Sequence, residues 1–575
     1  MPTAMSDARV LEAAECAATP TLARRAAYPA RAIARAEAPL TAGTDQYMRR
    51  AARAVAGACL AELRELRGSV AGSRVLVLVG GGRNGGDALL AGALLARRGA
   101  RVEARPATDH PHGAALSEAR AAGVAVADAP APSPVLGGAA ADLIIDGLTG
   151  IGASGPLRPR AAALIAPLIA AGAPGERAFR VLAVDVPSGV GVDDGSLPGP
   201  VLAADRTVTF TCPRGAHLLP PAAPLSGRVD VVDLGLPVPT GSEPLASVPD
   251  PALLAALLRA PGATDHKYTR GVVGLHAGSE AYPGAAVLAV SGAIRAGVGM
   301  ARIQAPRRAV DLVLASRPEA VPAIGRCQAI VVGPGTHRAD QPRAEELRGA
   351  LRAALRRGSG EGQWAVIDAG ALPLLPDLLG EGLICGPEHV LTPHAGEAAA
   401  LLSGLGLPAT REEVEAAPAS AARGLAGATG ATVILKAVPA LIARPGGGPV
   451  LSLDAGPGWL ATAGSGDVLA GALGAVLAAV RADRERAEGH QRGELSIGAA
   501  GLLLEDAVAL AAAASVRLHA DAGRLASGQA LGRGHEGRPI AALDVADHLS
   551  CARQRLRAQA LPHDQPASLA ETGRN

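Results

Sequence analysis

A glycine-rich turn in the last third of the chain has the residue types to hold a phosphate and to move a proton. It reads Gly464-Ser465-Gly466-Asp467 and opens a long stretch of Ala and Leu that is typical of a helix. Glycines and the N–H groups of a helix N-terminus form an anion hole, and an aspartate there can accept a proton from a hydroxyl group. An aspartate in the first turn also stabilises the helix dipole without any catalytic role. The pattern predicts phosphoryl chemistry at Asp467, with a purely structural aspartate as the alternative.

A second glycine-rich loop lies near the other end of the chain. The run VGGGRNGGD includes the end of the apolar segment 75–79 and leads into a helix that we expect to begin near Ala88. Glycines allow the backbone to approach a bound phosphate, and the helix N-terminus supplies oriented N–H groups. A tight turn between a strand and a helix also attracts glycine for steric reasons alone. Taken alone, this loop favours a phosphate site and a plain turn about equally.

Two aspartates stand where predicted strands end. Asp146 follows an apolar run and begins DGLTGIG, and Asp185 follows another and begins DVPSG. Open parallel sheets bind ligands at the carboxyl ends of their strands, so both carboxylates are expected in one crevice with the glycine-rich loop. An aspartate at a strand end is also a common helix cap. Three polar loops in one domain favour a site over three separate caps.

Short apolar runs alternate with Ala-rich stretches through both halves of the chain, which predicts parallel strands joined by helices. The runs lie at 75–79, 143–146, 181–186, 271–279, 329–336, 364–370, 389–394 and 432–437. The stretch 236–251 is dense in Pro, Gly and Ser and predicts a linker. Since 575 residues exceed what one core supports, we expect an α/β protein with domains at 1–240 and 250–575.

The composition argues against several classes of partner. Lys and Arg number 55 against 53 Asp and Glu, which predicts no binding to nucleic acid or to acidic membranes. We find no apolar run of the roughly 18 residues that span a bilayer and no secretory core, so we expect a cytoplasmic protein. The six cysteines are far apart and are expected to be reduced and structural. Only 1% of residues are aromatic, so Ala, Leu and Val must fill the cores.

The polar loops of the first half resemble those of a known family. GRNGGD, DGLTGIG and DVPSG, in this order, resemble the signature loops of the YjeF N-terminal domain family, the NAD(P)H-hydrate epimerases, over roughly residues 30–240. The resemblance implies a Rossmann-like three-layer domain that binds K⁺ through Asn84, Asp146 and Ser188. It also makes Asp185 the group that transfers a proton during epimerisation. The residues implied in binding the hydrate are Arg83, Asn84, Gly85, Gly86, Asp87, Gly150, Ile151, Gly152, Ala153, Ser154, Gly155, Pro156 and Asp185.

The chain departs from the usual GNNGGDG of that family at two positions. Arg83 replaces the first Asn, and Ala88 follows the aspartate. These changes keep open the alternative that the first domain is a non-catalytic binding module. Asp146, Asp185 and Ser188 are retained, which favours an active epimerase, because a scaffold needs no three polar strand-end positions in one crevice.

The second half contains more motifs of one family. Besides GSGD it has HKYTRGVVGLHAGSEAYPGAAVLA, VVGPGT, LTPHAGE and VILKA, which together resemble the ribokinase-like NAD(P)H-hydrate dehydratases from about His266 to His519. The resemblance implies a ribokinase-like α/β domain in which Asp467 deprotonates the substrate hydroxyl for phosphorylation. The residues implied in hydrate binding are Ala285, Gly335, His394 and Asp467. Those implied in nucleotide binding are Lys436, Ala437, Val438, Pro439, Ala440 and Gly466.

The resemblance also implies the small molecules involved. The substrates are NADHX and NADPHX, Mg²⁺ is required, and the phosphoryl donor is ADP or ATP, with ADP the better guess. We expect a homo-oligomer. On general grounds a histidine at a strand end is a structural residue, and only the TPHAGE context assigns His394 to the substrate. A small-molecule kinase of the ribokinase type is the alternative, since GSGD serves that chemistry equally well, but the fused first domain argues against it.

Overall fold

Two β-sheets organise the chain. The computed structural model describes residues 25–127, 135–136, 139–153, 155–239, 241–337, 340–356, 358, 362–489, 502–529 and 537–560. The strands are β1 (Ala26–Ala27), β2 (Arg74–Val79), β3 (Arg101–Pro106), β4 (Ala125–Val126), β5 (Val135–Leu136), β6 (Ala139–Ala140), β7 (Leu143–Gly147), β8 (Arg180–Val184), β9 (Arg206–Phe210), β10 (Arg228–Val232), β11 (Ala246–Ser247), β12 (Val272–His276), β13 (Met300–Gln304), β14 (Ala329–Val332), β15 (Trp364–Ile367), β16 (His389–Leu391), β17 (Thr432–Leu435), β18 (Ala440–Ala443) and β19 (Val450–Leu453).

Helices cover both sheets, in agreement with the predicted α/β class. The α-helices are α1 (Ala30–Thr41), α2 (Gln46–Arg67), α3 (Arg83–Ala96), α4 (Gly113–Ala121), α5 (Pro159–Ala170), α6 (Gly215–Leu218), α7 (Pro251–Ala256), α8 (Gly284–Ala296), α9 (Arg307–Ser316), α10 (Gln341–Ala354), α11 (Leu375–Gly380), α12 (Ala395–Gly404), α13 (Arg411–Ala416), α14 (Pro418–Thr429), α15 (Ser465–Gly489), α16 (Leu504–Ser527) and α17 (Ala542–Ala560). Short 3-10 helices lie at Ala223–Ser226, Ala369–Leu374 and Gly458–Leu460.

The first sheet has seven parallel strands in the order β10-β9-β8-β7-β2-β3-β4. The order reverses between β2 and β7, and ligands of such sheets bind at the carboxyl ends of the strands beside the reversal. The three polar loops follow β2, β7 and β8, so they meet there. β8 ends at Val184, two residues before the predicted end, because Asp185 turns the chain with a left-handed backbone (φ 68°).

The second sheet has ten strands in the order β1-β11-β19-β18-β17-β16-β15-β14-β12-β13. The strands from β13 to β17 are parallel, whereas β18 runs antiparallel to β17 and β19. Here the order reverses between β12 and β14. This reversal brings the start of α8, which contains Ala285, beside the loop that contains Gly335.

Two short strands connect the predicted domains. β1 pairs antiparallel with β11, and β11 pairs parallel with β19 at the edge of the second sheet. The stretch 236–251 is therefore more than the linker that was predicted, because part of its backbone extends a sheet. The division at 240–250 stays a prediction, but residues 26 and 27 lie in the sheet of the other half.

Both sheets bury side chains on both faces, as parallel sheets between helices do. In β14, for example, Ala329 and Val331 belong to one core cluster, while Ile330 and Val332 belong to the cluster on the opposite face. Ala, Leu and Val dominate the large clusters of both sheets. This confirms the prediction drawn from the low aromatic content.

The described cysteines are all free, namely Cys59, Cys212, Cys327, Cys385 and Cys551. Cys16 lies outside the described residues. The prediction that the cysteines are reduced stays a prediction, and the described cysteines form no disulfide with one another.

Helix α15 passes through the second core. Its segment Ser465–Ala487 is long and apolar enough to cross a membrane by length and composition, so the prediction that no such run exists is wrong. In the fold, 72% of its most apolar window is buried inside the protein, and the helix packs against α8, α16 and β14. A helix surrounded by other elements is apolar around its whole circumference, as a membrane helix is. Burial thus explains the composition of α15, and its first turn contains Asp467.

Candidate active sites at the ends of the two sheets

The glycine-rich loop after β2 packs closely against neighbouring backbone. A Cβ atom at Gly80 would lie 2.0 Å from the Leu148 carbonyl oxygen, and one at Gly85 would lie 2.2 Å from the Gly80 carbonyl oxygen. Glycine is therefore required at both positions. The sequence predicted a helix start near Ala88, but helix α3 begins at Arg83. The close packing holds the glycines, which have low helix propensity, in a helical turn.

The three residues implied in K⁺ binding come together around one loop. Ser188 Oγ donates to Asp146 Oδ1 at 2.7 Å and accepts from the backbone N–H of Thr149 at 3.0 Å. Asn84 Nδ2 donates to the carbonyl oxygens of Thr149 at 2.5 Å and Val184 at 2.8 Å. Asp146 and Ser188 are fully buried. Burial raises the pKa of Asp146, although hydrogen bonds from Ser188 oppose this effect.

Asp185 is held on several sides. Its Oδ1 accepts hydrogen bonds from Thr209 Oγ1 at 2.9 Å and from Arg214 Nε at 3.0 Å, while its Oδ2 has no partner among the described residues. His217 Nδ1 accepts from the Arg214 N–H, so its Nε2 donates to the Asp185 carbonyl oxygen at 2.9 Å. Burial lowers the pKa of His217 to about 4, which keeps this ring neutral. Asp185 has a left-handed backbone (φ 68°), which is strained in a non-glycine residue and persists only where the surrounding structure enforces it.

A cavity of about 1070 Å³ opens beside Asp185. The predicted residues that line it are Arg83, Asn84, Asp87, Gly150, Ile151, Gly152, Ala153, Gly155, Pro156 and Asp185. Gly85 and Gly86 are buried behind this lining, and Ser154 lies outside the described residues. Sequence reasoning missed Glu37 and Arg214, which also line the cavity. Arg214 stands in the polar run after β9 and could have been found as a further strand-end residue, whereas Glu37 gave no signal on its Ala-rich helix.

In the second sheet, Asp467 lies beside an ion pair. Lys436 Nζ donates to Asp368 Oδ1 at 2.8 Å, and the same oxygen accepts from Thr392 Oγ1 at 2.6 Å. Burial and the negative charge of Asp368 raise the pKa of Asp467 to about 7, while Lys436 opposes the shift. A carboxyl group with a pKa near neutrality is suited to proton transfer at physiological pH. No role was predicted for Asp368, although it stands at the end of β15 as Asp146 does at β7.

Ala285 and Gly335 touch at the reversal of the second sheet. Gly335 has φ 66°, and a Cβ atom there would lie 2.1 Å from the Ala285 Cβ. Ser279 Oγ donates to the Gly335 carbonyl oxygen at 2.9 Å and fixes this loop. A Cβ atom at Gly464 would lie 2.3 Å from Leu288 Cδ1 on the helix that begins just before Ala285. The implied hydrate residues thus adjoin the turn that precedes Asp467.

His394 caps helix α12. Its Nδ1 accepts from the backbone N–H groups of Gly396 at 3.1 Å and Glu397 at 3.2 Å. The structural interpretation is therefore correct for Nδ1, but the side chain is 60% exposed and its Nε2 points outward, 3.5 Å from Glu397 Oε2. The backbone of His394 pairs with that of Lys436. A substrate role for Nε2 stays a prediction.

The two segments implied in nucleotide binding are neighbours. Lys436 follows β17 and Ala440 begins β18, so the segment between them forms the turn of this strand pair, and Val438 at its tip is 64% exposed. Lys436 Nζ lies 3.6 Å from the position that a Cβ atom of Gly466 would take. Sequence reasoning missed His519, whose Nε2 is 2.9 Å from the Ser465 carbonyl oxygen. Burial lowers the pKa of His519 to about 4, so a neutral ring steadies the turn.

Two family descriptions match the chain. Residues 44–216 match the family described as YjeF-related protein N-terminus, and residues 273–532 match the family described as NAD(P)H-hydrate dehydratase. Each match falls within one of the two predicted domains. The second match favours the dehydratase over the small-molecule kinase that was kept as an alternative.

The sequences of NAD(P)H-hydrate repair enzymes and epimerases are similar to this chain. The bifunctional NAD(P)H-hydrate repair enzyme Nnr of Mycobacterium leprae (strain TN) is 41% identical over 465 residues, which is 79% of this chain and 89% of that protein. The NAD(P)H-hydrate epimerase of Microbacterium testaceum (strain StLB037) is 44% identical over 258 residues, 44% of this chain and 93% of the relative. Among solved structures, the chain is similar to ADP/ATP-dependent NAD(P)H-hydrate dehydratase from Bacillus subtilis, co-crystallised with ATP/Mg²⁺. The sequence identity is 24% and the TM-score is 0.40, and the match covers 53% of this chain and 97% of the dehydratase chain.

The match to the mycobacterial protein spans both domains, and the epimerase match falls on the half whose activity was in question because of Arg83 and Ala88. Both predicted activities, and not only the dehydratase, are therefore supported. The chain belongs to the family of bifunctional NAD(P)H-hydrate repair enzymes, in which an NAD(P)H-hydrate epimerase and an NAD(P)H-hydrate dehydratase are parts of one polypeptide.

Proposed function

We propose that the cavity beside Asp185 interconverts R- and S-NAD(P)HX, and that Asp467 starts an ADP-dependent dehydration of S-NAD(P)HX. The observation that supports the second step most strongly is the cluster of Asp467, Lys436 and Asp368 at the N-terminus of α15. It combines a carboxyl group that titrates near neutrality, a positive charge and oriented N–H groups. These are the requirements for transferring a phosphoryl group to a hydroxyl.

In the dehydration, Asp467 removes the proton of the substrate hydroxyl, and the oxygen attacks the terminal phosphoryl group of the nucleotide. Lys436 and the N–H groups at the start of α15 stabilise the charge that develops on the phosphoryl oxygens. The phosphate then leaves with the electron pair of the C–O bond, while the ring nitrogen donates its lone pair. Loss of a proton from the adjacent ring carbon restores the dihydropyridine, so the products are NAD(P)H, phosphate and AMP when ADP is the donor.

In the epimerisation, Asp185 transfers a proton to or from the oxygen at the hydrated carbon. Thr209, Arg214 and His217 fix the carboxylate and its backbone, and Oδ2 accepts no hydrogen bond from the described residues. An acid/base group must be within hydrogen-bond reach of the proton that it moves. Asp185 meets this requirement because it lines the cavity.

The polar cluster of the first site fits K⁺. Asp146 is a fully buried carboxylate that forms no ion pair with any side chain in the described ranges, and the surrounding carbonyl and hydroxyl oxygens are hard ligands. Asn84, Asp146 and Ser188 would hold the ion. K⁺ would neutralise the buried charge and order the loop after β7.

The second site fits Mg²⁺ brought in by the nucleotide. The described residues contain no group of three or more His, Cys, Asp or Glu side chains arranged to hold a metal ion. Mg²⁺ is commonly bound by one or two carboxylates together with substrate phosphates. Asp467 and Asp368 are the carboxylates that would contribute, and the ion would neutralise charge between the nucleotide and the hydrate.

The activity test uses a mixture of both NADHX epimers with Mg²⁺, K⁺ and either ADP or ATP, followed by the absorbance of reduced nicotinamide. Complete recovery with ADP supports both steps and names the donor. Recovery of the S portion alone overturns the epimerase proposal. No recovery with either nucleotide overturns the dehydratase proposal.

The assembly and location of the protein stay predictions. We expect a homo-oligomer in the cytoplasm, which sedimentation of the purified chain and fractionation of the source cells would test. A monomer in sedimentation would contradict the first expectation, and recovery with the membrane fraction would contradict the second.

A further inference from the structure

Asp87 of the first site has a buried carboxyl oxygen without a hydrogen-bond partner in the described part of the chain. This atom is Oδ1, the side chain lines the cavity, and the residue is only 7% exposed. A buried polar atom without a partner is rare and costly, so it calls for an explanation. Because Asp87 lines the cavity, its carboxyl group adjoins the space that would receive a polar substrate.

Asp87 and Asp185 have opposite surroundings. Asp185 forms an ion pair with the Arg214 guanidinium at 3.0 Å. Asp87 forms no ion pair with any side chain in the described ranges. Burial and the negative charge of Asp185 raise the pKa of Asp87 well above its ordinary value, and Arg83 opposes the shift only in part. A buried, unpaired carboxyl group beside one that is paired with an arginine can act as the acid of an acid/base pair.

The wider surroundings of Asp87 contain further titratable groups. Around the cavity these are Glu37, Tyr47, Arg83, His110, Arg158, Asp185 and Arg214, and the His112 ring packs on the adjacent Gly86. Glu37 is the alternative candidate for the acid, because burial also raises its pKa. However, Glu37 accepts a hydrogen bond from Thr211 Oγ1 at 3.3 Å and has both Arg214 and Arg83 nearby. Asp87 is therefore the better candidate.

We propose that Asp87 is the acid of the epimerase site, donating a proton to the departing hydroxyl, while Asp185 accepts a proton from the water that returns to the opposite face of the ring. This inference rests on the proposed epimerase function and assigns to Asp87 a proton-transfer role beyond substrate binding. Inversion through departure from one face and return on the other is served by a proton donor on the first face and a proton acceptor on the second.

The steps balance as follows for the R-to-S direction. Asp87 gives its proton to the hydroxyl oxygen, the C–O bond breaks, and its electron pair leaves with the oxygen as water. The lone pair of the ring nitrogen forms a C=N bond to the same carbon. Water then attacks the opposite face, the π electrons return to nitrogen, and the Asp185 carboxylate takes the released proton. The site now has an ionised Asp87 and a protonated Asp185, and proton exchange with solvent restores the starting state.

The test compares Asp87→Asn with Glu37→Gln in the full-length protein. In Asp87→Asn we expect kcat for R-NADHX epimerisation to fall by about 100-fold or more, because general acid catalysis contributes about that much. KM should change little. In the wild type the rate should fall as pH rises through the pKa of Asp87, and this falling limb should be absent from the variant. Glu118→Gln is the matched control, because Glu118 forms only surface ion pairs with Arg49 and Arg97.

Several outcomes would overturn the proposal. A rise in KM with kcat and the falling limb unchanged would make Asp87 a binding residue only. Loss of the limb in Glu37→Gln and its retention in Asp87→Asn would assign the acid to Glu37. A wild type that dehydrates S-NADHX but never epimerises R-NADHX would refute the epimerase function itself, which is a distinguishable result.

A second measurement does not depend on turnover. Carboxyl carbon NMR of the protein labelled at aspartate should show an aspartate that stays protonated well above the ordinary range, and Asp87→Asn should remove that signal. Dehydration of S-NADHX by the same preparation reports whether the chain has folded. Absence of such a signal from the wild type would refute the acid role even if the variant proved unstable.

Discussion

The two sites solve the problem of placing a reactive carboxylate in different ways. Asp185 and Asp467 both lie at the carboxyl edge of a parallel sheet, yet Asp185 is clamped by Arg214 and Thr209 in a strained backbone, whereas Asp467 lies in an ordinary helical turn. Burial and the negative charge of Asp368 raise the pKa of Asp467 to about 7, and Lys436, which pairs with Asp368, opposes this shift only in part. The same sheet edge thus supports opposite electrostatic environments, and the partners beyond the sheet decide which one results.

We expect the largest effect from substitutions that abolish the activity of one site and leave the activity of the other unchanged. Asp467→Asn should lower the rate of S-NADHX dehydration by about 1,000-fold or more, because the hydroxyl loses its base. Epimerisation of R-NADHX should be unchanged, and Asp185→Asn should give the reverse pattern. Stopped assays with each pure epimer measure both rates. If either substitution impaired both activities, the sites would not be independent and the comparison would fail.

Arg214 tests whether Asp185 depends on its clamp. Arg214→Gln should reduce kcat for epimerisation by up to about 100-fold, since a misplaced reacting group can lose that much. KM for NADHX should change little, and Arg214→Lys should restore part of the rate by restoring the charge. Dehydration by the same preparation is the control. Equal rates in Arg214→Gln and the wild type would show that the backbone strain at Asp185 positions it without Arg214.

A substitution of Asp368 tests whether its negative charge contributes to the raised pKa of Asp467. The base form of Asp467 predominates above its pKa of about 7, so dehydration should slow as pH falls below 7. Asp368→Asn removes the neighbouring negative charge and leaves Lys436 to pair with Asp467, which lowers the pKa of Asp467. The acid limb should therefore move to lower pH by about one unit. An acid limb at the same pH in variant and wild type would contradict this explanation of the raised pKa.

We expect the smallest effect from the buried neutral histidines, which should lower the free energy of unfolding only at acidic pH. The pKa of His519 is lowered from 6.5 to about 4 by burial, so the unfolded chain binds a proton between these values and the folded chain does not. The free energy of unfolding should consequently fall as pH drops from 6.5 towards 4, by roughly 2 kcal/mol at pH 5 for this group. Urea unfolding of His519→Gln at pH 7 and pH 5 measures the difference.

His217 in the first half has the same pKa direction and the same cause, so both halves should show this acid sensitivity. The partly exposed His548 provides the control, because its ring hydrogen-bonds only to the Asp544 carbonyl oxygen among the described residues. If His519→Gln and His548→Gln changed the pH dependence equally, burial of His519 would not be the cause.

Much of the molecule could be predicted from local sequence. The strands around 75–79, 143–146 and 329–336 were found because short β-branched runs between glycine turns are typical of buried parallel strands. The glycine-rich turn before Asp467 predicted the start of α15 correctly. These features depend on residues close in the chain, and periodicity and turn chemistry report them directly.

Other features depend on packing between distant residues. The helix that begins at Arg83 contains two glycines in its first turn, and it packs closely on the end of β7, where a Cβ atom at Gly147 would lie 2.4 Å from Ala88 Cβ. The pairing of β11 with β19 turned part of a predicted linker into an edge strand. Propensity does not predict either feature, because the energy that stabilises it comes from another part of the chain.

The sequence by itself determined that the chain is an α/β protein, which loops contain the reactive aspartates, and which family it resembles. Only the tertiary structure decided the partners of those aspartates, namely Arg214 for Asp185 and Asp368 with Lys436 for Asp467. Arg214 lies 29 positions from Asp185 along the chain, and Asp368 lies 68 from Lys436. The electrostatic environment of a carboxylate depends on distances in space and on exclusion of water, and neither is encoded in the residues next to it.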